Sequence, residues 1–328
     1  MSIEVKKAGL STSVQDGGRE GFYHLGIPPS GALDQYSMQT ANLLVGNDEN
    51  APVIECTLMG PELVFHQPTA IAICGAKMSP ALDGQAIAVN TCVRVKTGQT
   101  LSFGFASAGA RCYIAVAKGL HLPPMLGSCS TYGIGRLGGV DGRLLAAGDQ
   151  LPISAVEYVS TLEKSIPESL LPNLDKHADI RVVTGLYAHR LTAKSLDGFF
   201  ADTWTVGTEA DRMGYRFKGG RALEFKPRTQ PFGAGSDPSN IVDACYPIGS
   251  IQVPAGKEPI VLHRDAVSGG GYAMIGTVIS SDLDRIAQLQ PNHQVRFVRV
   301  TLEQALAARS DRTQRLALLR RYLNNLNS

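Results

Sequence analysis

The sequence is poor in charge for its length. Only 18% of its 328 residues are Asp, Glu, Lys or Arg, and 31 basic against 29 acidic side chains leave a formal net charge of +2. A chain so balanced has no overall field to draw it to nucleic acid or to an acidic membrane surface, and neither is expected as a partner. Long apolar runs are missing too: stretches such as Ile71–Ala76 fall well short of the roughly 20 residues that span a bilayer. The segment Met1–Lys7 enters an alternating strand pattern rather than a basic stretch followed by an apolar core, so the expected location is cytoplasmic.

Metal and nucleophile signatures are equally scarce. The six cysteines, Cys56, Cys74, Cys92, Cys112, Cys129 and Cys245, include no C-x-x-C pair and lie mostly in apolar surroundings. They read as small core hydrophobes, which argues against disulfides and zinc. The seven histidines stand apart from one another, and no metal site is expected. No G-x-x-x-x-G-K-[ST] loop, H-E-x-x-H pair or G-x-S-x-G elbow occurs, which excludes standard P-loop, zincin and α/β-hydrolase chemistry.

What the chain does have is 35 glycines and 18 prolines among 44% hydrophobic residues, the composition of short strands joined by tight turns. The expected fold class is mainly β with a few helices. Strands are predicted at Ile3–Lys6, Pro61–Phe65, Ala70–Cys74, Cys92–Lys96, Arg111–Ala117, Arg181–Thr184, Ile260–Leu262, Met274–Ile279 and Val295–Val300. A helix is predicted from an Asp34 cap to Gly46, and a short one from Ser281 or Asp282 until Pro291 stops it. An amphipathic helix is expected over Leu302–Leu326, with a break near Ser310. The Pro-containing, mixed-charge stretch before Asp179 reads as a crossing, giving lobes at 1–154 and 180–328 joined by 155–179, with the tail helix in the second lobe. GREGFYHL (18–25) and DRMGYRFK (211–218) share the order Arg, any residue, Gly, aromatic, consistent either with internal duplication or with two unrelated turns.

Three polar clusters are candidates for chemistry. In Ser13–Asp34, Asp16 and Arg19 either brace turns by pairing, or offer a base and a bidentate anion holder. Gly127–Ile153 is a glycine-rich excursion carrying Arg136, Asp141, Arg143 and Asp149, either a partner-facing loop or surface hairpins. Leu262–Val278 carries Asp265, then Ser268, Gly269, Gly270, Gly271 and Tyr272, either an anion-binding nest of amides or a plain hairpin.

Read in order, SVQDGGREG, SGALD, ANLLVGN, GSCST with GRLLAAGDQLPI, DRMGYR, IQVP and GGY resemble the C subunits of bacterial ATP-dependent 5-oxoprolinases, a KipA-like, allophanate hydrolase subunit 2-like family. The resemblance covers nearly the whole chain. It implies two cyclophilin-like β-barrel lobes with an amphipathic C-terminal helix, and no prolyl isomerase activity follows from that likeness. It also implies an enzyme component that works with a KipI-like B subunit and a LamB/YcsF-like A subunit to open 5-oxoproline to L-glutamate, inactive without them. ATP is implied as co-substrate, with Mg at a shared site. Two alternatives follow from the same resemblance: a non-catalytic KipA-like regulator of a KipI-like kinase inhibitor, and a carboxyltransferase component of a urea carboxylase-like biotin system. No A-M-K-M-type biotinyl segment occurs here, so biotin would ride on a separate carrier.

On the matched positions, the resemblance and the chemistry of lactam opening make Arg212 and Asp265 the candidate catalytic residues. Arg19, Tyr215, Gln252, Ser268, Gly270, Gly271 and Tyr272 are the candidates for binding substrate or nucleotide, and no metal ligand is expected. Two segments depart from the family pattern. Val267–Tyr272 reads V-S-G-G-G-Y where relatives commonly have Q-T-T-G-G-Y, and Asp243–Tyr246 replaces a Ser and Gly pair with a Pro-Gly turn. A different amide, lactam or urea-like substrate is therefore an open expectation.

Overall fold

The computed structural model describes residues 2–156 and 163–325. The chain is mostly strand, with four α-helices among the described residues. It divides into two units. The first comprises residues up to Arg19, Ser30–Leu174 and the end of the chain from Thr313; the second comprises Glu20–Pro29 and Asp175–Arg312. Part of the predicted crossing, 157–162, lies outside the described residues.

In the first unit a five-stranded sheet runs Ser11–Gln15, Val53–Thr57, Ala108–Val116, Thr69–Lys77, Cys92–Val95. A six-stranded sheet, containing Ser2–Lys7, Glu62–Phe65 and Gln150–Pro152, shares one core with it: Ile3, Val5, Leu63 and Phe65 from one sheet pack with Ile54, Ile73, Cys112 and Ile114 from the other. The central strand Ala108–Val116 shows why these segments read as unbroken apolar runs. Its Cys112, Ile114 and Val116 face the core between the sheets, while Tyr113 and Ala115 face Tyr36, Met38 and Ala41 of the helix Gln35–Leu44 and Leu316, Leu319 and Leu323 of the last helix. A strand covered on both faces needs apolar residues at both parities. Helix Gln35–Leu44 starts where its cap predicted: Asp34 accepts from Ser37 N at 2.9 Å and from Ser37 Oγ at 2.6 Å.

The second unit closes a seven-stranded barrel in the order His177–Thr184, Met274–Val278, Ser250–Gln252, Ile260–Leu262, Gly214–Lys218, Trp204–Ala210, Gln294–Arg299. His177–Thr184 and Gln294–Arg299 pair in parallel, the remaining neighbours antiparallel. Aromatic rings fill its core: Phe297 stacks on Phe199 at 4.8 Å between centroids and meets Phe217 edge-on at 5.3 Å. A two-stranded ribbon, Asn240–Cys245 with Gly269–Tyr272, stands apart from the barrel ladder.

Helix Ala193–Ala201 is a structural addition to the sequence reading. Gly198 and two adjacent phenylalanines obscure its period, and it is set by Thr192, whose hydroxyl accepts from Ser195 N at 3.2 Å, and by burial of Phe199. The last helix, Leu302–Asn325, runs unbroken through Ser310, where a break was expected; Leu326 lies outside the described residues. Serine costs a helix only a few tenths of a kcal/mol, and a reciprocal cap starts this one: Thr301 N donates to Gln304 Oε1 at 2.9 Å and Gln304 N to Thr301 Oγ1 at 3.3 Å. Its apolar face is also shorter than predicted, since Leu302 and Leu306 are exposed while Ala308, Leu316, Leu319 and Leu323 are buried. Among the described residues no helix is long and apolar enough to cross a membrane.

Candidate functional site

In the first unit the structure joins two of the clusters. Asp16, at the end of strand Ser11–Gln15, accepts from Gly18 N (2.8 Å), Ser128 Oγ (2.7 Å), Cys129 N (2.6 Å) and Ser130 Oγ. Arg19 donates from Nε to Met125 O (2.9 Å) and from Nη2 to Ser130 O (2.9 Å) and Ser128 O (3.4 Å). Both side chains are buried. The carboxylate is thus satisfied by amides and hydroxyls and the guanidinium by carbonyls, an arrangement that ties the 125–131 loop to the strand end. Gly138 sits against this knot with φ +65°, where a Cβ would meet Ser130 O at 2.1 Å. Arg19 therefore holds loop backbone, which gives it a scaffolding role in this unit. In the glycine-rich excursion, Arg143 grips Asp149 through Nη1 (2.7 Å) and Nη2 (2.8 Å), bracing a surface hairpin.

The second unit assembles the other candidates. Arg212 lies on the turn that follows strand Trp204–Ala210. Asp211 shapes that turn by accepting from Met213 N (2.8 Å) and Gly214 N (3.1 Å). Arg212 binds Asp265 through two parallel bonds, Nε to Oδ2 at 2.8 Å and Nη2 to Oδ1 at 3.0 Å, and Asp265 N returns a bond to Arg212 O at 3.0 Å. Their side chains are 14% and 8% exposed, so the fork is largely shielded from water while keeping an open edge. Arg264, the next residue along, reaches Glu20 at 3.5 Å. Burial pushes the Arg264 pKa down; Glu20 opposes that shift and the neighbouring Arg212 charge reinforces it. Two guanidinium groups, Arg212 and Arg264, thus lie near each other here, each with a carboxylate partner, Asp265 and Glu20.

Beside this pair, the ribbon is organised around a residue that sequence reasoning did not choose as a site residue. The Tyr246 hydroxyl accepts from Tyr272 N at 2.8 Å and lies 2.6 Å from both Gly270 O and Tyr272 O, with the Gln252 side chain beside it. Having one hydrogen, it donates to one of the two carbonyls at a time. Burial raises its pKa, with the Tyr272 backbone and Gln252 opposing, so it stays a phenol at neutral pH. Tyr246 N donates to Ser268 O at 2.8 Å, and the Tyr246 ring packs with Ala266, the residue after Asp265. Gln252, Ser268, Gly270 and Tyr272 therefore meet at Tyr246, and the 262–268 segment connects them to the Arg212–Asp265 pair. The only sequence signal for Tyr246 was its place in the D-A-C-Y departure.

One open alternative is decided and one expectation is corrected. Gly269–Tyr272 is a strand and not a nest: none of its three glycines has a positive φ. The glycines serve close packing, since a Cβ on Gly270 would lie 3.0 Å from the Tyr246 ring and one on Gly271 3.3 Å from Ile241 O. Tyr215 is a core residue. Strand alternation sends it inward with Phe217, it is fully buried, and its hydroxyl donates to Ala287 O at 3.2 Å.

Residues 25–299 match the family described as carboxyltransferase domain, subdomain A and B. The chain is 37% identical over 325 residues to the 5-oxoprolinase C subunit of Escherichia coli, covering 99% of this chain and 100% of that one. It is 36% identical to the urea amidolyase of Saccharomyces cerevisiae across 92% of this chain, but spans only 17% of that protein. Among solved structures, the K. lactis urea amidolyase superposes with a TM-score of 0.90 at 34% identity, over 97% of this chain and 20% of that one. The match of fold and sequence over most of the chain places it in the carboxyltransferase domain, subdomain A and B, family.

Proposed function

We propose that this chain is the C subunit of an ATP-dependent 5-oxoprolinase, acting in the cytoplasm with a KipI-like B subunit and a LamB/YcsF-like A subunit. The observation that carries this reading is the end-to-end match to a 5-oxoprolinase C subunit, whereas urea amidolyase contains a counterpart of this chain as a small fraction of its length.

The reaction consumes 5-oxoproline, ATP and two waters and yields glutamate, ADP and phosphate. An unstrained lactam is a poor electrophile, and phosphoryl transfer to its amide oxygen turns that oxygen into a leaving group. Among the described residues no group of three or more His, Cys, Asp or Glu side chains is arranged to hold a metal ion. In this reading Mg enters on the nucleotide phosphates, its usual ligands. This chain's contribution is electrostatic. Arg212, oriented by Asp265, and the nearby Arg264 stabilise negative charge developing on the lactam oxygen. Tyr246 holds the ribbon in place, the Gln252 side chain beside it is the neutral polar group that positions the ring, and Tyr272, 41% exposed, offers it a stacking face.

The test is reconstitution with the A and B subunits: substrate-dependent release of glutamate and phosphate is expected, and release of neither from 5-oxoproline or another small lactam would defeat the proposal. Retained binding and inhibition of a KipI-like protein by an Arg212→Ala chain that never supports turnover would favour the regulator. The structural likeness to urea amidolyase supports a second reading, carboxyl transfer from biotin on a separate carrier. It predicts bicarbonate-dependent carboxylation of a urea-like acceptor.

A further inference from the structure

On the second unit, apart from the Arg212–Asp265 pair, a cleft of about 240 Å³ is lined by His189, Arg190, Lys226, Pro227 and Arg228. Four of its five lining residues are basic and none is acidic. Arg190 is 5% exposed; its Nη atoms donate to Asn240 O at 3.0 Å and to Pro238 O, and its Nε–H is buried with no acceptor. Arg228 reaches the same Asn240 O at 3.1 Å and Gln230 Oε1 at 2.9 Å. Lys226 donates to His189 O at 2.7 Å, and His189 Nδ1–H to Leu186 O at 2.7 Å.

Among the described residues none of Arg190, Lys226 and Arg228 forms an ion pair with a carboxylate. Every acceptor they find is a neutral carbonyl or amide, so three positive charges converge against dipoles alone. Burial, then the Arg228 charge, holds the Arg190 pKa below the ordinary guanidinium value. Several surface arginines elsewhere on this unit are paired with carboxylates: Arg181 with Asp282, Arg221 with Asp202, Arg296 with Asp179.

We infer that this cleft binds a phosphate oxyanion, free or as the terminal group of a nucleotide. Three cationic side chains with donors still open, the Arg190 Nε–H, the Arg228 Nη1 and the Lys226 ammonium, match a divalent anion better than a monovalent carboxylate. The volume suits one phosphate with its waters rather than a whole nucleotide, whose remaining parts would extend outward. The inference stands apart from the oxoprolinase reading, since it concerns binding by this chain alone.

The experiment is calorimetric titration of the isolated chain, in phosphate-free buffer, with inorganic phosphate, ADP and acetate. Saturable phosphate binding is expected, with acetate at least about tenfold weaker. Lys226→Gln and Arg228→Gln each lower affinity about tenfold, as loss of a charge-assisted bond does. Both residues are exposed, so the thermal midpoint of the variants without phosphate is expected to stay unchanged. ADP binding more tightly and competing with phosphate identifies a nucleotide as the source; equal affinities identify free phosphate. No saturable binding of either, or binding indifferent to both substitutions, overturns the inference. So does loss in the two variants of capture by an acidic partner protein with no anion binding in the wild-type chain.

Discussion

Arg212 and Asp265, 53 positions apart in sequence, meet in a two-bond fork, Nε–Oδ2 at 2.8 Å and Nη2–Oδ1 at 3.0 Å, with the Asp265 amide returning a third bond to the Arg212 carbonyl. The fork fixes the guanidinium plane, and its burial makes each partner costly to remove alone. Arg212→Ala in the reconstituted complex is expected to lower kcat by about 10²-fold or more, the loss typical of a charge-stabilising donor. Arg212→Lys recovers little, because an ammonium cannot form the fork. Steady-state kinetics on both variants checks this.

The same pair makes a stability prediction. Arg212→Ala or Asp265→Ala alone leaves a buried charge and costs about 3 kcal/mol or more. The double variant costs less than the sum, with a coupling of about 1 kcal/mol or more. Urea unfolding of the isolated chain and its three variants measures the cycle; strict additivity would show that the pair is not coupled.

Tyr246→Phe removes the hydroxyl that accepts from Tyr272 N and donates to one of two ribbon carbonyls at a time. A loss of about 1–3 kcal/mol is expected from the groups left unpaired. Hydrogen exchange should accelerate at the Tyr272 amide more than at amides of the barrel strands.

Gly270→Ala places a Cβ 3.0 Å from the Tyr246 ring. Overpacking there should cost about 1–3 kcal/mol and displace the ribbon. Gly84→Ala is a poor control because its φ is +77°, whereas Gly133→Ala meets nothing within 4 Å and is expected to be close to neutral. Thermal midpoints of the Gly270 and Gly133 variants give the comparison.

His293 is buried, and its pKa is depressed from 6.5, first by burial and then by the Lys176 and His177 charges. The unfolded chain therefore binds more protons between the folded value and 6.5, and stability falls as pH drops through that window. His293→Gln should flatten this part of the stability–pH curve while leaving the curve above about pH 7 parallel to wild type, as thermal melts across roughly pH 4.5–8 would show.

Much of the architecture was legible locally. The predicted strands reappear within a few residues because alternation and β-branched composition act over neighbours: Ile260–Leu262 is unchanged, and Ala70–Cys74 extends to Thr69–Lys77. The Asp34 cap was legible for the same reason. Helix Ala193–Ala201 was not, since Phe199 is held there by contacts with Trp204 and Phe297, which no local window contains together.

The candidate site was legible as a set of residues but not as an arrangement. Arg212, Gln252, Asp265, Ser268 and Tyr272 were found through ordered motifs, yet Tyr215 rode along in the same motif and belongs to the core, and Tyr246 was passed over. The amino-acid order by itself determined the mainly β class, the helix start at Asp34 and the family, because these depend on near neighbours and on motif succession. Only the tertiary structure decided that Asp16 is satisfied by Ser128 and Ser130, 112 and 114 positions away, that the glycine triplet is a strand and that Tyr246 is its hub. Such choices are settled by which buried polar group finds which partner, a matter of distance in space that spacing along the chain does not encode.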